Sequence, residues 1–230
     1  MRAIGRRAAI QGMVGAGLSG MLVAGATPAA ASEPTGIPTA EEGLRLLLEG
    51  NRRWQAIRPE HPHEGAEIRR SLVAAQHPFA TVLSCVDSRV PPELVFDQGL
   101  GDLFTVRTAG EVLDDAVLGS IAFGAGELRI PLLVVLGHSS CGAVGAAVDA
   151  VDAGEEGPGH LAYLVEAIAP SVPLQGPERA ARVAAAVDEN VRRVVHTLRH
   201  DSDLEKSVTA GGLTIVGARY DLDSGAVTLL

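Results

Sequence analysis

Pro131-Leu132-Leu133-Val134-Val135-Leu136-Gly137-His138-Ser139-Ser140-Cys141 holds the most apolar strand signal of the chain, and it ends on residues that carry chemistry. Apolar residues without alternation predict a strand buried on both faces, as in a parallel sheet. Phe79 to Leu83 has the same character and runs into Cys85-Val86-Asp87-Ser88-Arg89. Both cysteines therefore sit just beyond an apolar strand, where open α/β sheets place their ligand sites.

Outward from these strands the elements alternate. Thr39-Ala40-Glu41-Glu42 reads as a capping box that opens a helix running to about Ile57. Residues 64–76 predict a second helix, 102–107 a strand, and Asp114 the cap of a helix to about Leu128. A helix is expected from about Cys141 to Ala153, and further helices over 161–168 and 180–200, the last with Pro177 near its start. Strands at 213–220 and 226–230 are joined by a turn at Asp223-Ser224-Gly225. Strands separated by helices give an α/β fold: a mainly parallel central sheet flanked by helices, with an antiparallel C-terminal edge strand. Residues 39–230 form one domain, preceded by an arm over 32–38. Gly99 and Gly101 read as turn glycines and Trp54 as helix packing.

The 230 residues carry a formal charge of −9. An acidic domain of this kind argues against nucleic acid or an anionic membrane as partner. Lys206 is the only lysine, which removes Schiff-base chemistry elsewhere in the chain. Residues 1–31 differ from the rest: Arg6-Arg7 precedes a Gly-rich, weakly apolar stretch, and Ala29-Ala30-Ala31 supplies small residues for cleavage. This pattern predicts an export signal of twin-arginine type, with a general secretory signal as the alternative, and no membrane span after processing.

Two cysteines in an exported chain suggest a disulfide. A disulfide requires neither the Asp-x-Arg after Cys85 nor the histidine three residues before Cys141. Two sulfurs and one imidazole nitrogen form a zinc ligand set with an open fourth position, which is a catalytic arrangement. The strand-to-helix turn aims His138 and Cys141 the same way, and a helix N-terminus favours the Cys141 thiolate. Asp87 beside the metal is expected to accept a hydrogen bond from activated water, with Arg89 holding it ionised. His61, His63, His77, His160, His196 and His200 have no ligand spacing to the cysteines and read as surface or core residues, any one of them a possible proton shuttle.

The paired motifs C-x-D-x-R and H-x-x-C, with Phe104-Thr-Val-Arg-Thr-Ala-Gly and Gly217-Ala-Arg-Tyr-Asp-Leu-Asp-Ser-Gly, resemble the β-class carbonic anhydrases from about Gly43 to Val227. The resemblance implies one zinc per chain on Cys85, His138 and Cys141. It also implies an Asp87–Arg89 pair, and a second state in which Asp87 leaves Arg89 to become the fourth ligand. It further implies reversible hydration of carbon dioxide to bicarbonate and a proton, and a homodimer or higher oligomer that buries the site. Gln76, Phe104, Phe123 and Gly142 are the substrate-binding positions it suggests; Phe123 stands where one branch of the family has tyrosine. Val82 occupies the place of a tryptophan in a bicarbonate-regulated branch, which argues against that regulation. Hydrolysis of carbonyl sulfide or carbon disulfide on the same zinc, or non-catalytic zinc or bicarbonate binding, are the alternatives.

Overall fold

Thr39 caps the first helix as its sequence predicts. Its hydroxyl accepts from the Glu42 N–H, and the Glu42 carboxylate accepts from the Thr39 N–H at 2.8 Å. This element, α1 (Ala40–Gln55), opens a computed structural model that describes residues 38–176 and 178–230. The export segment, residues 32–37 of the arm, and Pro177 lie outside the described residues.

The chain continues through α2 (Ala66–Ser71), β1 (Ala80–Cys85), α3 (Pro92–Val95), β2 (Leu103–Thr108), a 3-10 turn (Ala109–Glu111) and α4 (Asp115–Gly126). Next come β3 (Leu132–His138), α5 (Gly142–Ala153), α6 (Leu161–Ile168) and a 3-10 turn (Ala169–Ser171). The last elements are α7 (Arg179–Arg199), α8 (Glu205–Thr209), β4 (Thr214–Tyr220) and β5 (Val227–Leu229). The expected second helix over 64–76 shrinks to the six residues of α2. None of them is buried, so no packing energy offsets the cost of helix nucleation. The short helices α3 and α8 carry too few residues to leave a periodic signal.

The five strands lie in the order β2-β1-β3-β4-β5, parallel except for β5, which pairs antiparallel with β4 at the edge. Each core strand is apolar on both faces. Val82, Leu132, Val134 and Leu136 pack with Leu47 of α1. Leu83, Leu133, Val135 and Ile215 pack with Val117 and Ile121 of α4 and with Val191, Val195 and Leu198 of α7. A period of two along buried strands produces these two layers. Gly137 permits the second layer to close: a Cβ there would stand 2.5 Å from Val191 Cγ2.

The chain leaves β1 for β2 on one side and returns to β3 on the other. The C-terminal ends of β1 and β3 are thus a topological switch point, where such sheets open a crevice. Cys85 ends β1 and His138 ends β3.

Candidate metal centre

Three elements bring one ligand group each to that crevice. Beyond His138 the β3–β4 ladder persists for one more bond, from Ser139 N–H to Tyr220 O at 2.9 Å, and Ser139 Oγ accepts from the Leu222 N–H. Ser140 then takes a left-handed conformation, φ 55°, which turns the chain so that Cys141 becomes the N-cap of α5. The donor atoms of Cys85, His138 and Cys141 all lie within 4.8 Å of one another, and all three residues are buried.

The protonation geometry suits a cation. His138 Nδ1 lies 3.0 Å from the Ser139 carbonyl, which can only accept, so the proton sits on Nδ1 and Nε2 offers its lone pair. Nε2 is buried and has no hydrogen-bond partner. A buried, unpartnered acceptor is costly unless something fills the site. The two sulfurs are free thiols 3.9 Å apart, so the cysteines do not form the disulfide considered from composition. The bond between the sulfurs pushes Cys85 down to about 4 against the effect of burial, with help from His138 and the Gly110 N–H, and pushes Cys141 up. A divalent cation bound here would hold both sulfurs as thiolates. Two thiolates and one imidazole nitrogen fit zinc, with a fourth position open.

Asp87 borders this cluster, its Oδ2 3.8 Å from His138 Nε2. Both its oxygens are engaged by Arg89: Nε donates to Oδ1 at 2.9 Å and Nη2 to Oδ2 at 2.7 Å. The Arg89 N–H adds a third bond at 2.9 Å. These bonds hold the Asp87 carboxyl far below the usual carboxylate range. The structure thus holds the aspartate–arginine pair closed, with Asp87 on Arg89 and not among the metal donors.

Two residues without an expected role stand behind the cluster. Arg107 of β2 donates from Nε to Cys85 O at 2.9 Å and from Nη2 to Asp87 O at 2.7 Å, clamping the loop that carries ligand and acid. Glu111 is fully buried with φ 55° and an unpartnered Oε1. Burial first, and the Cys85 thiolate second, raise its pKa well above the usual carboxylate range. Gly110 between them has φ 66° and donates its N–H to Cys85 Sγ at 3.5 Å. A side chain there would meet Ile168 Cδ1 at 2.7 Å.

The expected substrate positions divide. Gly142, the first residue of α5, is exposed beside Cys141. Phe104 and Phe123 pack together, ring centroids 6.3 Å apart, with Phe123 48% exposed. They are not beside the cysteines, however. Phe104 pairs with Thr81, four residues before Cys85, or about 13 Å along the strand. Gln76 lines a separate surface cavity of about 450 Å³ with Leu72, Leu100 and Gly101. Gly101 is the turn glycine expected, with φ 82°. Gly99 instead permits close approach, since a Cβ would stand 1.9 Å from Pro62 O. Trp54 packs as expected and donates to the Tyr220 hydroxyl at 3.0 Å.

The carbonic anhydrase family profile matches residues 80–227, both ligand motifs included. The chain belongs to the β-class carbonic anhydrases. It is 45% identical over 186 residues to carbonic anhydrase 2 of Mycobacterium tuberculosis, covering 80% of this chain and 90% of that one. It is 46% identical over 186 residues to the carbonic anhydrase of Mycolicibacterium smegmatis, with the same coverage. Among solved structures, the β-carbonic anhydrase CafA of Aspergillus fumigatus superposes with a TM-score of 0.66 at 28% identity. That match covers 81% of this chain and 90% of CafA. This carbonic anhydrase accordingly has a zinc site of two cysteines and one histidine, the trio assembled at the switch point.

Proposed function

We infer that carbon dioxide hydration by this carbonic anhydrase is carried by Asp87, oriented by Arg89, beside the Cys85–His138–Cys141 centre. The observation that carries this reading is the ionised Asp87 carboxylate, fixed by three bonds from Arg89, 3.8 Å from the unpartnered His138 Nε2. Zinc bound to the trio supplies Lewis acidity that lowers the pKa of water to about 7. Asp87 is an acceptor for a proton of the attacking water and so orients it; Arg89 keeps the carboxylate charged and prevents its rotation. Arg107 fixes the backbone on both sides of Val86, so that Cys85 and Asp87 keep one spacing. The N-terminus of the twelve-residue helix α5, at Gly142, favours the bicarbonate anion that forms. Val82, fully buried within the α1-side core, supports the absence of the tryptophan-dependent bicarbonate regulation.

The substrate pocket of this reading is completed by a second copy. An apolar gas needs apolar walls, and Phe123 is half exposed while its neighbour Phe104 lies about 13 Å from its own cysteines along the sheet. A symmetric dimer that buries this pair brings it against the partner's centre without leaving it in water. The deciding experiment is stopped-flow carbon dioxide hydration by the zinc-loaded protein, with His138→Ala as control. The reading requires turnover in the parent, and loss of both zinc and turnover in the variant. A variant that keeps full zinc refutes the ligand assignment.

We also propose export of the folded enzyme through the twin-arginine route, with cleavage after Ala31. The support is the Arg6-Arg7 pattern together with two ligand cysteines, which are protected as zinc thiolates before they meet an oxidising compartment. Arg6→Lys combined with Arg7→Lys is expected to leave active enzyme inside the cell; fractionation that finds normal export refutes this. Among the described residues no helix is long and apolar enough to cross a membrane.

A further inference from the structure

Helix α7 closes with His196-Thr197-Leu198-Arg199, and His200 is its C-cap. Leu198 is fully buried, while the two histidines, four residues apart, stand exposed one above the other on the outer face. Their rings are 4.3 Å apart between centroids with planes inclined by 27°. His200 Nδ1 lies 2.7 Å from the His196 carbonyl. A carbonyl only accepts, so this contact places the His200 proton on Nδ1 and leaves Nε2, at the outer edge of the ring, with a free lone pair. Metal-ligating histidines are commonly fixed in this way, one nitrogen on a carbonyl and the other on the metal.

Two further observations fit a cation. Neither ring has a carboxylate partner; the described histidines that do are His61, His63 and His138. The pair sits at a helix C-terminus, the end whose carbonyls favour positive charge. The rings are stacked, so their in-plane lone pairs run side by side in this conformation; rotation of the exposed His196 ring about its side-chain torsions brings both nitrogens to one metal at about 2.0–2.1 Å.

We propose that His196 and His200 form a second, exchangeable site for a first-row divalent transition metal, with water completing the coordination. Two neutral imidazoles without carboxylate or thiolate select Ni²⁺, Cu²⁺ or Zn²⁺ over Mg²⁺ or Ca²⁺. The site is remote from the catalytic zinc. Val187 packs in one cluster with Cys85 and Cys141, whereas Leu198 packs with Leu204 and Leu213 at the other end of the sheet. Eleven residues separate them, roughly 16 Å of helix.

The test is a calorimetric titration of the zinc-loaded full chain with Ni²⁺ alone, with zinc content measured afterwards. One Ni²⁺ per chain is expected to bind while zinc stays in place. His196→Ala and His200→Ala, both at exposed positions, are each expected to weaken that binding at least tenfold, with carbon dioxide hydration unchanged. His160→Ala is expected to leave it within twofold. No nickel binding, a weakening of less than tenfold in either variant, a comparable loss in His160→Ala, or nickel entering only by displacing zinc would each overturn the proposal.

Discussion

Asp87 and Arg89 are separated by one residue, and that spacing makes a two-pronged ion pair possible. The Arg89 N–H and its guanidinium both reach Asp87 Oδ1 while Nη2 takes Oδ2. An asparagine at this position keeps the size but turns one acceptor into an amide donor, which must face either the guanidinium or the water. Asp87→Asn is therefore expected to retain one zinc per chain and to lose about 10–100-fold in kcat near neutral pH, the range typical of residues that orient groups around a metal. Zinc analysis and steady-state hydration rates check this together; rates within twofold of the parent would make the pair structural. The pair was legible because both partners lie in one pentapeptide. Arg107 was not, although its motif was visible, because its role depends on β2 lying beside β1 in a register that pairs Arg107 with Ser84.

At the level of elements, Asn51 shows how a polar residue on a core-facing helix fixes neighbours that no local pattern connects. Its side chain donates to Val95 O at 3.0 Å and Gly225 O at 2.9 Å and accepts from the Val227 N–H at 2.9 Å. It thereby ties α1 to the end of α3 and to the turn before β5. Asn51→Leu leaves these backbone groups without a partner at about 1–3 kcal/mol each when water is excluded. The denaturant midpoint is expected to fall by the equivalent of about 3 kcal/mol or more. Asp97, also buried, titrates below its usual range. Burial opposes this, but the Glu60 N–H, the Arg53 guanidinium and the His61 N–H outweigh it. A depressed carboxylate stabilises the fold above its unfolded pKa of about 3.9 and loses that contribution as pH falls towards the folded value. The stability gap between the parent and Asp97→Asn is thus expected to be constant near neutrality and to narrow below about pH 4, as denaturant titrations at both pH values will read.

Across the whole molecule, apolar strands and capped helices were legible, and with them the switch point that gathers Cys85, His138 and Cys141. Strand register was not, because an apolar run fits its neighbour at any offset until side chains pack. Register is what moves Phe104 four residues from the level of Cys85, and with it the aromatic wall expected beside the zinc. A site split between two copies has a consequence that a site within one chain lacks. Asp87→Asn removes the orienting acid from a chain's own centre. In the proposed dimeric pocket, Gln76→Ala combined with Phe123→Ala, both at exposed positions, removes the wall that one chain offers the other. In a mixed dimer of the two, both defects fall on one site and the other site is intact. Random pairing makes about half the dimers mixed, with one working site of two, so co-expression of the two impaired variants is expected to restore roughly a quarter of the parent rate. If the wall instead served its own chain, each site of the mixed dimer would carry one defect. Co-expression would then yield no more than the average of the two variants, and the dimeric pocket would have to be abandoned.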